Sequence, residues 1–149
     1  MGALQDQIAD ATKAAMKARD KARVAALRLM GAEIKRVEVD ERRELSDDDV
    51  IAILNRMLKQ RKDSLSQFQE AGRDDLAAQE QLEIDVITQF MPEPLSEDEV
   101  EGLIRATIDE LGASGMQDMG KIMGKLRPLV QGKADMGVVS AKVKALLSG

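Results

Sequence analysis

The chain is 149 residues long, 44% apolar and 33% charged, and its 27 acidic against 22 basic side chains leave a formal charge of −5. This is the composition of a globular chain with room for one medium domain or two small helical units, and the acidic balance argues against nucleic-acid binding over the whole surface. Cysteine and histidine are both missing, which removes disulfides, thiolate metal sites and cysteine nucleophiles, together with the commonest general base and transition-metal ligand.

The apolar set is mostly Leu, Ile, Val, Met and Ala, and Phe68 and Phe90 are the only aromatic residues. Straight-chain residues favour packed helices, and the scarcity of aromatic side chains gives strands little support, so the expected fold is all-α. No apolar run approaches the ~20 residues that a membrane span needs. The opening Met1-Gly2-Ala3-Leu4-Gln5-Asp6 has no basic segment followed by an apolar one, as a secretion signal would. With no cysteine to oxidise, the expectation is a cytoplasmic protein that uses no metal and no cofactor.

Seven helices are predicted. The first covers Ala3 to Arg19, with Leu4, Ile8, Ala11 and Ala15 on one face. The second covers Lys21 to Glu41, with a face of Leu27, Met30, Ile34 and Val37. Ser46 opens the third as an N-terminal cap, and Asp47, Asp48 and Asp49 suit the positive end of the helix dipole. Its stripe is Val50, Leu54, Met57, Arg61, Leu65 and Phe68, and Gly72 stops it. The fourth runs from Asp74 to Phe90 along Ala77, Glu80, Ile84, Ile87 and Met91.

Pro92-Glu93-Pro94 is the clearest boundary, because each proline disfavours helix in the residue before it. Ser96-Glu97-Asp98-Glu99 follows as a capping box. A first domain is therefore expected at 1–92 and a second, of three helices, at 95–149. The three helices are placed at 97–111, 117–130 and 137–147. Their stripes are Val100, Leu103, Ile104, Ile108 and Leu111; then Ile122, Met123, Leu126 and Val130; then Val139, Val143 and Leu146. Pro128 is expected to kink the sixth helix or end it early, and Asp135 to cap the seventh.

Two places carry chemistry. Arg61 falls on an apolar stripe, where an unpaired charge is costly, and Glu80 falls on the stripe of the next helix. Across the short turn at Gly72 the two stand at comparable heights, which predicts an ion pair from Arg61 to Glu80 or Glu83 that fixes the register. The alternative is an anion site built from Arg61 with Lys59, Lys62 or Arg73. Glu80, Glu83 and Asp85 have no nucleophile or ligand set nearby that would suggest catalysis.

The second place is the C-terminal segment. From Gly112 to Gly149 six basic residues, Lys121, Lys125, Arg127, Lys133, Lys142 and Lys144, stand against two acidic ones, so this stretch is locally +4. Gly120 and Gly124 lie among them, four apart on one helix, and expose backbone. The plain reading of these glycines is close helix–helix contact. The functional one is a smooth basic surface for an RNA backbone, with no aromatic side chains to stack on bases.

Several of these residues, in this order, resemble the GatB/YqeY family: Lys59-Gln60-Arg61-Lys62-Asp63-Ser64, Ala71-Gly72-Arg73 with Leu76, Glu80 and Glu83, Met91-Pro92, Leu95-Ser96-Glu97, Gly120, Met123, Gly132-Lys133-Ala134-Asp135, Val139, Val143 and Leu146-Leu147. The resemblance covers the chain from the first helix to the last. It implies a helical N-terminal unit and a three-helix C-terminal unit similar to the tail of the B subunit of the glutamine-dependent tRNA amidotransferase, which helps hold tRNA. It therefore implies association with tRNA, or docking on a tRNA amidotransferase or aminoacyl-tRNA synthetase. At the family level it also carries a carbon–nitrogen ligase description with glutamine as amide donor. Neither the catalytic cradle of that B subunit nor its partner's serine-rich amidase motif is found in this sequence, so the expected protein is a non-catalytic accessory.

Overall fold

Several helix starts are set by a side chain that replaces a missing backbone partner. Ser46 Oγ accepts the Asp49 amide at 3.2 Å while the Asp49 carboxylate accepts the Ser46 amide at 2.9 Å. Ser96 and Glu99 repeat the exchange at 3.1 and 3.2 Å. Each reciprocal pair satisfies two amides at the helix start. At the other ends, Gly72 and Gly112 take the left-handed conformation with φ of 68° and 62°. The amides of Arg73 and Ala113 then reach back five residues to the carbonyls of Phe68 and Ile108, at 2.9 and 3.0 Å, and close Schellman-type stops.

The computed structural model describes residues 2–148, and all its regular elements are helical. They are α1 (Ala3–Lys17), α2 (Lys21–Glu41), α3 (Asp47–Glu70), α4 (Asp74–Thr88), α5 (Glu97–Leu111), a 3-10 turn at Met116–Asp118, α6 (Met119–Val130) and α7 (Met136–Ser148). The all-α expectation holds. The chain forms two compact units, Met1–Met91 and Pro92–Gly149.

The first unit contains α1 to α4. Its core includes Leu27, Met30, Val50 and Leu54, all essentially without solvent contact, with Leu45 buried from the α2–α3 connector. Burial of each such side chain is worth about 1.5–3 kcal/mol before the entropy cost. The second unit has its own core, in which Ile104, Ile122, Leu126, Val130, Val139 and Val143 are fully enclosed. Inside that unit the Leu95 amide donates to the Lys133 carbonyl at 2.8 Å, tying the approach to α5 to the α6–α7 loop. Asp135 accepts the Gly137 amide at 2.7 Å and caps α7.

Four local expectations are corrected. α1 ends at Lys17 because Arg19 adopts φ 57° and the Asp20 amide bonds the Ala15 carbonyl, freeing the Asp20 side chain to cap α2 through the Arg23 amide. The start of the sixth helix is split, with the 3-10 turn preceding α6. Pro128 does not end α6, which continues to Val130: so near the end, its missing amide costs a single bond. Leu111 is 40% exposed rather than part of the core stripe, because α5 turns off at Gly112.

Candidate nucleic-acid interface

Buried charge in the first unit is gathered at one place. α3 and α4 are joined by the tight turn at Gly72 and run antiparallel, which brings Arg61 Nη1 3.0 Å from Glu83 Oε2 and 3.6 Å from Glu80 Oε2. Glu83 is the more buried carboxylate, at 7% exposure. Arg61 Nε and Glu80 Oε2 have no hydrogen-bond partner among the described atoms. Beside them is a small cavity of about 130 Å³, lined in part by Glu33, Gln60, Arg61 and Glu83. Two carboxylates around one guanidinium leave the cluster negative, so it repels anions. Lys59 and Lys62 stay exposed, and Arg73 pairs with Asp75 at 3.4 Å. The anion-site alternative does not form; the cluster joins the two helices.

In the second unit α6 has two faces. Ile122, Leu126 and Val130 point into the core. At about 100° per residue, Arg127, Gly120, Gly124, Lys121 and Lys125 fall in that order around the opposite face. All five are exposed. A Cβ built on Gly120 or on Gly124 would meet nothing within 4 Å. The close helix–helix contact expected of these glycines is therefore absent within the described residues, and they form a bare strip of backbone between Arg127 and Lys121. Each costs about 0.5–1 kcal/mol relative to alanine inside a helix, and no internal packing offsets it.

The remaining basic residues are arranged differently. Lys125 forms an ion pair with Glu110 of α5, which takes up part of its charge. Lys133 is half-buried in the α6–α7 loop. On α7, Lys142 is half-buried beside the core-facing Val139 and Val143, whereas Lys144 lies roughly 160° away on the exposed side. The cationic side chains with a shared exposed surface are thus those of α6. The bare character of the glycine strip was open to sequence reasoning only as one of two readings, because the spacing does not say which way a helix faces.

The first unit carries a groove that the sequence did not signal. It lies between α1 and α2, has a volume of about 470 Å³, and is bordered by Lys13, Arg28 and Lys35. Its only sequence trace is Gly31, a glycine in the interior of a 21-residue helix.

These features define a small all-helical protein of two units, with a bare cationic helix face on one and an open apolar groove on the other. The chain belongs to the Yqey-like protein family, whose model matches residues 5–147. It is 25% identical over 138 residues to "Altered inheritance of mitochondria protein 41, mitochondrial" of Pyrenophora tritici-repentis, covering 91% of this chain and 76% of that protein. The Saccharomyces cerevisiae protein of the same name is 32% identical over 102 residues, covering 66% of this chain. An uncharacterised Schizosaccharomyces pombe protein is 35% identical over 81 residues, covering 54% of this chain and 66% of its own length. The chain spans only about half, 55%, of the S. cerevisiae relative.

The cytoplasmic expectation is overturned by the Pyrenophora tritici-repentis and Saccharomyces cerevisiae relatives, which are mitochondrial by name. The inference failed because the lack of cysteine distinguishes oxidising from reducing surroundings and does not separate one reducing compartment from another. Among the described residues no helix is long and apolar enough to cross a membrane.

Proposed function

We propose that the protein is an RNA-associated accessory that holds tRNA through the exposed face of α6. The supporting observation is the Gly120–Gly124 strip, empty above its backbone and flanked by Lys121 and Arg127. A phosphate chain can approach glycine backbone more closely than any side-chain-bearing surface, and the flanking cations neutralise it. Recognition of this kind reads backbone and shape rather than base edges, which suits a chain with two aromatic residues. Lys125, Lys133, Lys142 and Lys144 add long-range attraction in a segment of net positive charge. The likeness of this unit to the tail of the tRNA amidotransferase B subunit belongs to the same proposal. Amide transfer is not part of it.

The test is fluorescence anisotropy of labelled tRNA with the full chain over a salt series. Binding at low salt should weaken roughly tenfold or more between about 50 and 200 mM. Lys121→Glu with Arg127→Glu should abolish it while the helical spectrum is retained. No binding at low salt, or binding indifferent to salt, removes the proposal and leaves docking on an amidotransferase or synthetase as the reading to pursue.

A further inference from the structure

α1 and α2 form an antiparallel pair, closed at one end by the turn at 18–20 and marked at the other by Gln5 Nε2 donating to Glu38 Oε1 at 2.6 Å. The trench between them has a floor of Ile8, Leu27 and Ile34, which also belong to the core. It runs from residue 5 to 13 on α1 and from 27 to 38 on α2, or roughly 12 and 16 Å at ~1.5 Å per residue. That is two to three helical turns. The space is open to solvent.

Three independent features point to an occupant. The Gln5 side chain is buried at 8% exposure and lines the trench, yet its Oε1 has no hydrogen-bond partner among the described atoms. Because Glu38 accepts from Nε2, the amide orientation is fixed, and Oε1 is the atom left wanting a donor. Gly31 lines the trench from mid-helix, is exposed, and a Cβ there would meet nothing within 4 Å. Its helix-propensity cost of about 1 kcal/mol is not offset by packing among the described residues. The rim is cationic: Lys13 and Arg28 have no carboxylate within ion-pair distance among the described residues, and Lys35 reaches Glu38 only at 3.7 Å. On a chain of net charge −5, this apolar trench with three cations and one carboxylate along it is locally positive.

We propose that the α1–α2 trench is a docking site for an acidic amphipathic helix of a partner protein. The partner's apolar ridge, spaced i, i+3 or i+4, and i+7, fills the trench over Ile8, Leu27 and Ile34. Its backbone crosses close above Gly31, its acidic flanks meet Lys13, Arg28 and Lys35, and a polar side chain donates to Gln5 Oε1. This site is on the first unit and does not depend on the α6 face binding RNA.

The experiment is an NMR titration of the isotope-labelled full chain with three synthetic probes: an acidic helical peptide of about 14 residues with leucines at that spacing, the same peptide with lysine flanks, and decanoate. The acidic peptide should shift the amides of Ile8, Ala9 and Gly31, and the lysine peptide should bind at least about tenfold more weakly. Gly31→Leu, whose Cβ would meet nothing within 4 Å, should fill the trench and abolish the shifts with the helical spectrum kept. Lys13→Glu with Lys35→Glu should do the same through charge alone. No shift with the acidic peptide, or equal shifts with the lysine peptide, overturns the proposal. So does a response to decanoate only, which would assign the trench to a small amphiphile, or shifts that follow protein concentration alone, which would assign it to a second copy. None of these outcomes bears on tRNA binding, so the two proposals fail separately.

Discussion

Arg61 Nη1 stands 3.0 Å from Oε2 of Glu83, which joins the middle of α3 to the most buried carboxylate of α4. Removing one partner would strand the other in a site where water hydrates it poorly, and that asymmetry sets the expected cost. Arg61→Ala should destabilise the chain by about 1–3 kcal/mol, since the guanidinium is itself partly exposed. The double variant Arg61→Met, Glu83→Met should recover most of the loss. Urea denaturation of the wild-type, single and double variants checks both statements through a double-mutant cycle.

Gly120→Ala and Gly124→Ala should each raise stability, by about 0.5–1 kcal/mol, because the added methyl meets nothing and the helix gains propensity. The same changes should weaken tRNA binding by roofing the strip. A Tm that rises while affinity falls would mark these glycines as kept for contact with a ligand; a rise in Tm with unchanged affinity would mean that the strip is not used.

The helix ends predict a pair of opposite size classes. Ser96→Ala removes one half of a reciprocal cap and should cost about 1 kcal/mol. Gly112→Val forces a β-branched residue into φ 62° and should cost more, about 1–3 kcal/mol. Thermal melts followed at 222 nm read both.

Asp49 supplies the pH dependence. Hydrogen bonds from Arg43, at 2.7 and 3.2 Å, and then from the Ser46 amide, hold its carboxyl well below the usual carboxylate range. A carboxyl depressed in the folded state adds stability that is fully present above its unfolded value, near ~4, and is lost as pH falls through the folded one. Stability should therefore decline below about pH 4. Asp49→Asn should be less stable at neutral pH and show a shallower decline. Glu33, bonded by Arg36, and Asp75, bonded by Arg73, are shifted in the same direction but are surface pairs of small weight. Urea midpoints at a series of pH values between ~2.5 and ~7 measure the slope.

Periodicity placed the inward faces of α2 and α6 well. Leu27, Met30 and Ile34, and likewise Ile122, Leu126 and Val130, are enclosed as the spacing predicts. It did less well on α3 and α4. Ile53 and Leu58 on α3 and Val86 on α4 lie outside the expected stripes yet are buried, because each of these helices meets more than one neighbour. Position 83 rather than 80 took the deeper place for the same reason. The α1–α2 trench left almost no mark in the sequence: an unfilled space is a property of how far apart two helices settle, not of any residue in them.

The amino-acid sequence by itself determined the run of helices, the caps at Ser46 and Ser96, the stop at Gly72, and the family, since these depend on neighbours three to five residues away and on the order of short motifs. Tertiary structure alone decided that Gly120 and Gly124 face outward, that Lys142 and Lys144 diverge, and that Gln5 Oε1 has no hydrogen-bond partner among the described residues beside an open trench. Each of those outcomes depends on which surfaces distant helices cover, and that is settled by packing across the unit rather than by any local pattern of side chains.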